Sequence, residues 1–424
     1  MLLQCLLVLL VTCPFGQLFE IQVPRSTIKN PILLDVPRNT EDKSDSLSDA
    51  IKVTNASNHF GLALYHVLSR SGNLFISPFS LSAVLTMTYL GAQDTTAQQM
   101  SSVLGYRPVG LKSAGVLNGL QEATNLLNSQ ENGYDLEIAN AVLVQRSFNV
   151  LKSYRQALTR ELNATLQEVD FQTEGEKVVN EVNSWASHRT KNKIQNLLTK
   201  PLPSNSRLAL LNAVYFKGTW QTMFDKKLTK TGTFYNNGLI PTRVNMMEIK
   251  TKFKFFNDPN LDVYAIEMPY TGHHMSMLIL LPHNRNGLPA LERALSVPYL
   301  ENVYATLQEK NVFVRMPQFK LEEKYEDIKR TLQALGMSDV FDEQRANLAG
   351  ITGHRDLYLN KVVHKTHVEV NEEGSVATAV SFGVSIVRIG GNIAPQFVID
   401  HPFIFLIRDS RTGLILFIGR VAEL

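Results

Sequence analysis

Two histidines and one arginine are the side chains of this sequence most open to a chemical role. His364 and His367 sit in VVHKTHVEV (362–370), a run with strand-like alternation. Positions three apart on a strand point to opposite faces, so the two rings cannot chelate one metal ion. One packed and one solvated histidine is the expected arrangement. Arg388 is the only basic residue between Gly374 and His401. No G-x-S-x-G elbow, Walker A loop, H-E-x-x-H or G-x-G-x-x-G occurs in the chain. No catalytic residue, metal site or cofactor is therefore assigned. A triad assembled in space from scattered Ser, His and Asp stays open, though nothing in the spacing points to one.

Arg388 closes an unusual segment, NEEGSVATAVSFGVSIVR (371–388), in which Ser375 to Val387 contain neither charge nor proline. Split by parity, Ser375, Ala377, Ala379, Ser381, Gly383, Ser385 and Val387 form a small set. Val376, Thr378, Val380, Phe382, Val384 and Ile386 form a set that is mostly β-branched or aromatic. That is strand patterning of period two, with one face small enough to slide over a packed core. Yet the segment opens at Gly374 and ends in Arg388-Ile389-Gly390-Gly391-Asn392. Two readings remain: a buried strand followed by a turn, or a strand-competent segment tipped by an exposed arginine.

The elements that must carry these residues form a mixed set. Phe60, Leu64, Val67 and Leu68 have helical spacing, as do Leu81, Leu85, Met87 and Leu90, and Val179, Val182, Trp185 and Ala186. LALLNAVYF (208–216), MSMLILLP (275–282), NVFVRMP (311–317) and FIFLIRD (403–409) read as strands. Helices early and strands late, without βαβ alternation, indicate an α+β domain. With 424 residues, 44% hydrophobic and 19% charged, the chain is long enough to bury a large core. A net charge of +3 without long single-sign runs gives no case for nucleic acid or membrane partners.

The amino terminus reads MLLQCLLVLLVTC, then Pro14, Phe15 and Gly16. This apolar run is too short to span a membrane and has the length of a signal-peptide core. Residues 1–16 are therefore expected to be a signal peptide and 17–48 a polar extension, with a folded domain from 49 to 424. A secreted, extracellular protein is the expectation. The only cysteines, Cys5 and Cys13, lie in the signal, so no disulfide framework supports the mature chain. Asn55-Ala56-Ser57 and Asn163-Ala164-Thr165 are glycosylation sequons.

Several stretches resemble one family. NKVVHKTHVEVNEEGSVATA (360–379) closely resembles the serpin reactive-loop hinge, and FVIDHPFIFLIRDSRTGLILFIGRV (397–421) the serpin C-terminal signature. NLFISPFSLSAVLTMTYLGA (73–92), LNAVYFKGTW (211–220), MPQFKLE (316–322) and LQALGMSDVFDEQRANLAGIT (332–352) extend the likeness over nearly everything from residue 51 onward. The resemblance implies a single α+β domain with three β-sheets, about eight or nine helices and a reactive-centre loop at about 372–396. It also implies a suicide substrate: a target protease cuts the loop, which inserts into the central sheet with the protease trapped in a covalent 1:1 complex.

Carried over residue by residue, the hinge falls on Glu372, Glu373, Gly374, Ser375, Val376, Ala377, Thr378 and Ala379. Counting 16 positions from Glu372, as inhibitory serpins do, reaches Arg388 and makes Arg388–Ile389 the scissile bond. An arginine suits a specificity pocket floored by a carboxylate, so a trypsin-like serine protease is the expected partner. Phe382 or Val387 would serve other proteases out of register. Ile-Val-Arg before Ile-Gly-Gly also looks like a zymogen activation site, which suggests a cascade protease. Ser77, Ser80, Asn212 and His364 fall on the shutter beneath the central sheet, and Trp220 on the breach where insertion starts. The region 107–132 has only Arg107 and Lys112 as basic residues, so strong heparin activation is not expected. Lys226, Lys227 and Lys230, or Lys250, Lys252 and Lys254, read as solvated edges rather than a polyanion site. The protein is expected to be a monomer and no enzyme. The alternatives are a non-inhibitory serpin acting as carrier or chaperone, and a hydrolase of unrelated fold.

Overall fold

The computed structural model describes residues 48–68, 71–128, 133–373 and 394–424. In chain order these form α1 (Asp49–Leu68), β1 (Leu74–Ile76), α2 (Pro78–Tyr89), α3 (Asp94–Val103), α4 (Ser113–Leu127), β2 (Tyr134–Gln145), α5 (Lys152–Gln156), β3 (Thr165–Val169), α6 (Gly175–Arg189) and β4 (Leu208–Gly218). Then come β5 (Lys230–Asn236), β6 (Ile240–Asp258), β7 (Val263–Pro269), β8 (Met275–Pro282), α7 (Leu288–Ala294), α8 (Val297–Thr306), β9 (Gln308–Pro317) and β10 (Phe319–Tyr325). The chain closes with α9 (Lys329–Ala334), α10 (Ala349–Thr352), β11 (Leu359–Val370), β12 (Gln396–Val398), β13 (Phe403–Asp409) and β14 (Ile415–Val421). Each helix and strand read from periodicity has its counterpart here, except the strand-patterned 375–387, which lies outside the described residues.

A five-stranded sheet runs β10-β11-β4-β2-β3. Its centre is unusual in one respect: β11 and β4 are parallel neighbours, from Leu359 opposite Leu208 to Val368 opposite Phe216. β4 is buried on both faces. Leu208, Leu210, Val214 and Phe216 join the main core, while Ala209, Leu211, Ala213 and Tyr215 join a second cluster with Val178, Val179, Val182 and Ala186 of α6. Helices on both sides explain why this strand reads as a continuous apolar run rather than an alternating one. Beneath it α2 is buried at every position but Ala83, as a helix with no polar face must be.

The other strands form one nine-stranded sheet, β1-β14-β13-β8-β7-β6-β9-β12, with β5 also paired to β6. The described residues thus hold two hydrogen-bonded sheets where three were expected. The reason is β6: its 19 residues pair with β5, β9 and β7 in turn, so one strand joins two ladders. The described α-helices number ten because short turns such as α5 and α10 count among them.

Candidate functional site

The seam between β4 and β11 carries a closed polar network at its middle. His364 lies opposite Asn212, and Asn212 opposite Asn140 on β2. The backbone N–H of Ser77, which caps α2, donates to His364 Nε2 at 3.2 Å. That nitrogen therefore carries no proton, and Nδ1–H donates to Asn212 Oδ1 at 2.5 Å. The Asn212 amide spends its two hydrogens on Ser80 Oγ and on Asn140 Oδ1, the latter at 2.5 Å. Burial drives the His364 pKa down to about 3. A proton on Nε2 would also face the Ser77 N–H donor. The four residues assigned to the shutter thus meet in one place, and Asn140 joins them. Sequence reasoning missed Asn140, since a lone asparagine in YDLEIANAVLVQ gives no spacing signal.

His367 differs from expectation. It is 3% exposed, packed edge-on against Tyr215 at 5.2 Å, with Nε2 3.1 Å from Glu369. Both histidines are packed, on opposite faces of β11. The predicted solvent is replaced by α6 and the strap that follows it, which cover that face through Ile194, Leu197, Leu198 and Leu202. Alternation along a strand cannot report such a second layer.

A second cluster gathers where β11 ends. Trp220 is 2% exposed, stacks on Tyr270 at 4.6 Å, and donates from Nε1 to the Asn371 carbonyl at 2.9 Å. Gly218 is required just before it, because a Cβ there would lie 2.5 Å from the Tyr270 ring. Glu372 is held on all sides. Thr229 Oγ1 donates to its Oε1 at 2.5 Å, Gln318 Nε2 to its Oε2 at 2.6 Å, and the Phe224 N–H to its carbonyl at 3.0 Å. Burial lifts the Glu372 pKa, but bonds from Thr229, its own backbone N–H and Gln318, with Lys226 nearby, outweigh this and hold the carboxyl below its usual range. Glu373 pairs with Lys226. Thr229 lay in no motif, Gln318 and Asn371 lay in family-like stretches without an assigned role, and Lys226 was read only as a solvated edge.

The remaining assignments lie apart. Asn55 is exposed on α1, and Asn163 is exposed in a turn with φ 48°. Gly374, Ser375, Val376, Ala377, Thr378, Ala379, Arg388 and Ile389 fall outside the described residues, as do Met1 to Cys13. Of the lysines read as edges, Lys252 pairs with Glu309 at 2.8 Å and Lys254 with Glu267 at 3.0 Å.

The profile of a family described as "Serpin (serine protease inhibitor)" matches residues 55–424. The chain is 49% identical over 376 residues to "Intracellular coagulation inhibitor 1" of Tachypleus tridentatus, covering 88% of this chain and 90% of that protein. It is 41% identical over 385 residues to "Intracellular coagulation inhibitor 2" of the same organism, covering 91% and 93%. Among solved structures, uncleaved ovalbumin matches with a TM-score of 0.80 at 27% identity, covering 88% of this chain and 100% of that one. This chain belongs to the serpin family. It is accordingly a protease inhibitor in class and not an enzyme.

The relatives also correct one expectation. Both Tachypleus proteins are named intracellular, which overturns the secreted, extracellular location read from the amino terminus. The physical reason is that an apolar run reports affinity for a membrane system. It does not distinguish release from the cell from retention inside it.

Proposed function

We propose that the protein is a suicide inhibitor of a trypsin-like serine protease, with Arg388–Ile389 as bait. The observation that carries this reading is the seam itself. β4 and β11 are parallel, and β11 runs directly into Glu372 and the bait segment. A strand turning back from the end of β11 runs antiparallel to β11, and therefore antiparallel to β4 as well. Insertion breaks one parallel ladder and forms two antiparallel ones, the stronger pairing. The 13 residues 375–387 match the 11 and 12 residues of the flanking strands. A net gain of one ladder, at about 1 kcal/mol per hydrogen bond, is on the order of 10 kcal/mol. That rivals the stability of a whole domain.

The chemistry balances simply. The protease serine oxygen adds to the Arg388 carbonyl, and the bond to the Ile389 nitrogen breaks. The nitrogen leaves as an amine with the proton relayed from the serine, and an ester joins protease to inhibitor. Insertion then carries the ester away from the hole that would have activated it for hydrolysis. Ile-Val-Arg-Ile-Gly-Gly, together with relatives named as coagulation inhibitors, supports a cascade protease as the target. Mixing with trypsin tests this: a band stable to denaturation at the summed mass, and a released fragment beginning at Ile389, are expected. Clean cleavage at that bond with no such band would mean a non-inhibitory serpin.

A further inference from the structure

The face of the seam turned toward α6 carries a pair of rings that the shutter does not use. His367 of β11 stands directly opposite Tyr215 of β4, so their T-shaped contact, 5.2 Å between ring centres at 76°, crosses the seam itself. Any parting of β4 from β11 must break it. On its other side His367 stands opposite Glu322 of β10. A carboxylate only accepts, so Nε2 donates its hydrogen to Glu369 Oε1 at 3.1 Å and Nδ1 carries none. Nδ1 is buried without a hydrogen-bond partner, as is the Tyr215 hydroxyl. Glu322 Oε2 lies 4.0 Å from Nδ1, but that carboxylate is already engaged by Lys365 at 2.7 Å. Lys365 also donates to the Gln195 carbonyl at 2.6 Å, which ties down the strap that follows α6.

The charges around the pair are matched while the imidazole is neutral. Glu322 faces Lys365, and Glu369 faces Lys320 at 4.0 Å. From the strap, Lys193 lies over the Tyr215 ring at 5.2 Å, so the π-face that could hold a cation is taken. From β2, Glu137 lies opposite Tyr215 and pairs with Lys191, and Asp135 adds a negative charge near the phenol. A proton on Nδ1 therefore adds a buried charge that nothing compensates. Burial first, then Lys320, outweigh Glu369 and Glu322 and hold the His367 pKa below its usual value. We infer that His367 and Tyr215 form a clasp across the seam that holds while the imidazole is neutral and loosens when it takes a proton. Parting of this seam is the step that loop insertion requires, so the clasp eases that step in acid.

The test uses the intact protein and no protease, so it decides the clasp whether or not the protein traps trypsin. Hydrogen exchange of the β4 and β11 amides is followed by mass from about pH 7.5 to about pH 5 and corrected for the intrinsic rate, which gives the opening constant of the seam. In wild type that constant is expected to rise as pH falls below about 6.5, by up to about tenfold per pH unit for each buried histidine exposed, His364 as well as His367. His367→Phe keeps a ring against Tyr215 but takes no proton, and its slope is expected to be shallower by about one proton. Tyr215→Leu is expected to raise the opening constant several-fold at neutral pH. The amides of β7 and β8, which belong to the other sheet, are the control and are expected to follow neither change. Equal slopes for wild type and His367→Phe would overturn the clasp. So would a change of slope equally large in β7 and β8, which marks a residue of general stability. If His367→Phe does not fold, His367→Leu supplies the same comparison.

Discussion

Arg388 and His364 show what single residues contribute at opposite ends of the reading. As the proposed bait, Arg388 acts through charge and length, so Arg388→Ala is expected to abolish trapping of trypsin while leaving the melting temperature within a degree or two of wild type. Retained trapping would move the bait to another bond. His364 acts through being neutral. Burial holds its pKa at about 3 in the folded chain, against 6.5 for an exposed histidine. As pH falls below 6.5 the unfolded chain takes up a proton that the folded chain refuses until about pH 3. Stability from this group is therefore fully present above pH 6.5 and falls through that window, by up to about 1.4 kcal/mol per pH unit. His364→Gln should flatten the slope of unfolding free energy between pH 6 and 4 by about one proton. An unchanged slope would show that the ring is not held neutral. The sequence predicted one packed histidine of the two without saying which, and the resemblance placed His364 at the shutter. Its partners Ser77, Ser80, Asn140 and Asn212 sit on three separate elements and share no spacing that links them.

At the scale of elements, the seam matters more than any side chain in it. Among the described residues the strands and helices placed by periodicity are present, because alternation and the 3.6-residue repeat report burial directly, while the patterning of 375–387 lies outside those residues. What periodicity does not report is pairing. The parallel contact of β4 with β11 joins residues some 150 positions apart, Asn212 and His364 among them, and only the family resemblance had grouped those two residues. The same limit explains the sheet count: a 19-residue β6 reads as one strand, but which neighbours it joins is a tertiary fact. It also explains His367, whose face of β11 is covered by the strap that follows α6. The seam makes a demand on the bait segment that its small-residue set meets, since an inserted charge would be buried unpaired. Ala377→Arg is expected to turn the protein from inhibitor to substrate, cleaved after Arg388 with few or no trapped complexes on a denaturing gel. Undiminished stoichiometric inhibition would argue that insertion does not extend to this position.

On the proposed mechanism the uncleaved protein is held short of its most stable arrangement, with the five-stranded sheet closed at the shutter. No disulfide adds a covalent restraint, since the only cysteines are Cys5 and Cys13 near the amino terminus. On that mechanism the core and the grip on Glu372 hold this state by themselves. Cutting the loop removes the restraint on its hinge side and leaves β12 in place. The most direct measurement is thermal melting before and after a single cut between Ser375 and Arg388, made with a protease outside the serine class and located by mass. The account predicts a rise on the order of 10–20 °C, the size expected if one ladder of about 10 kcal/mol is gained. A cleaved protein that melts at or below the temperature of the intact one would contradict insertion and, with it, the inhibitory mechanism.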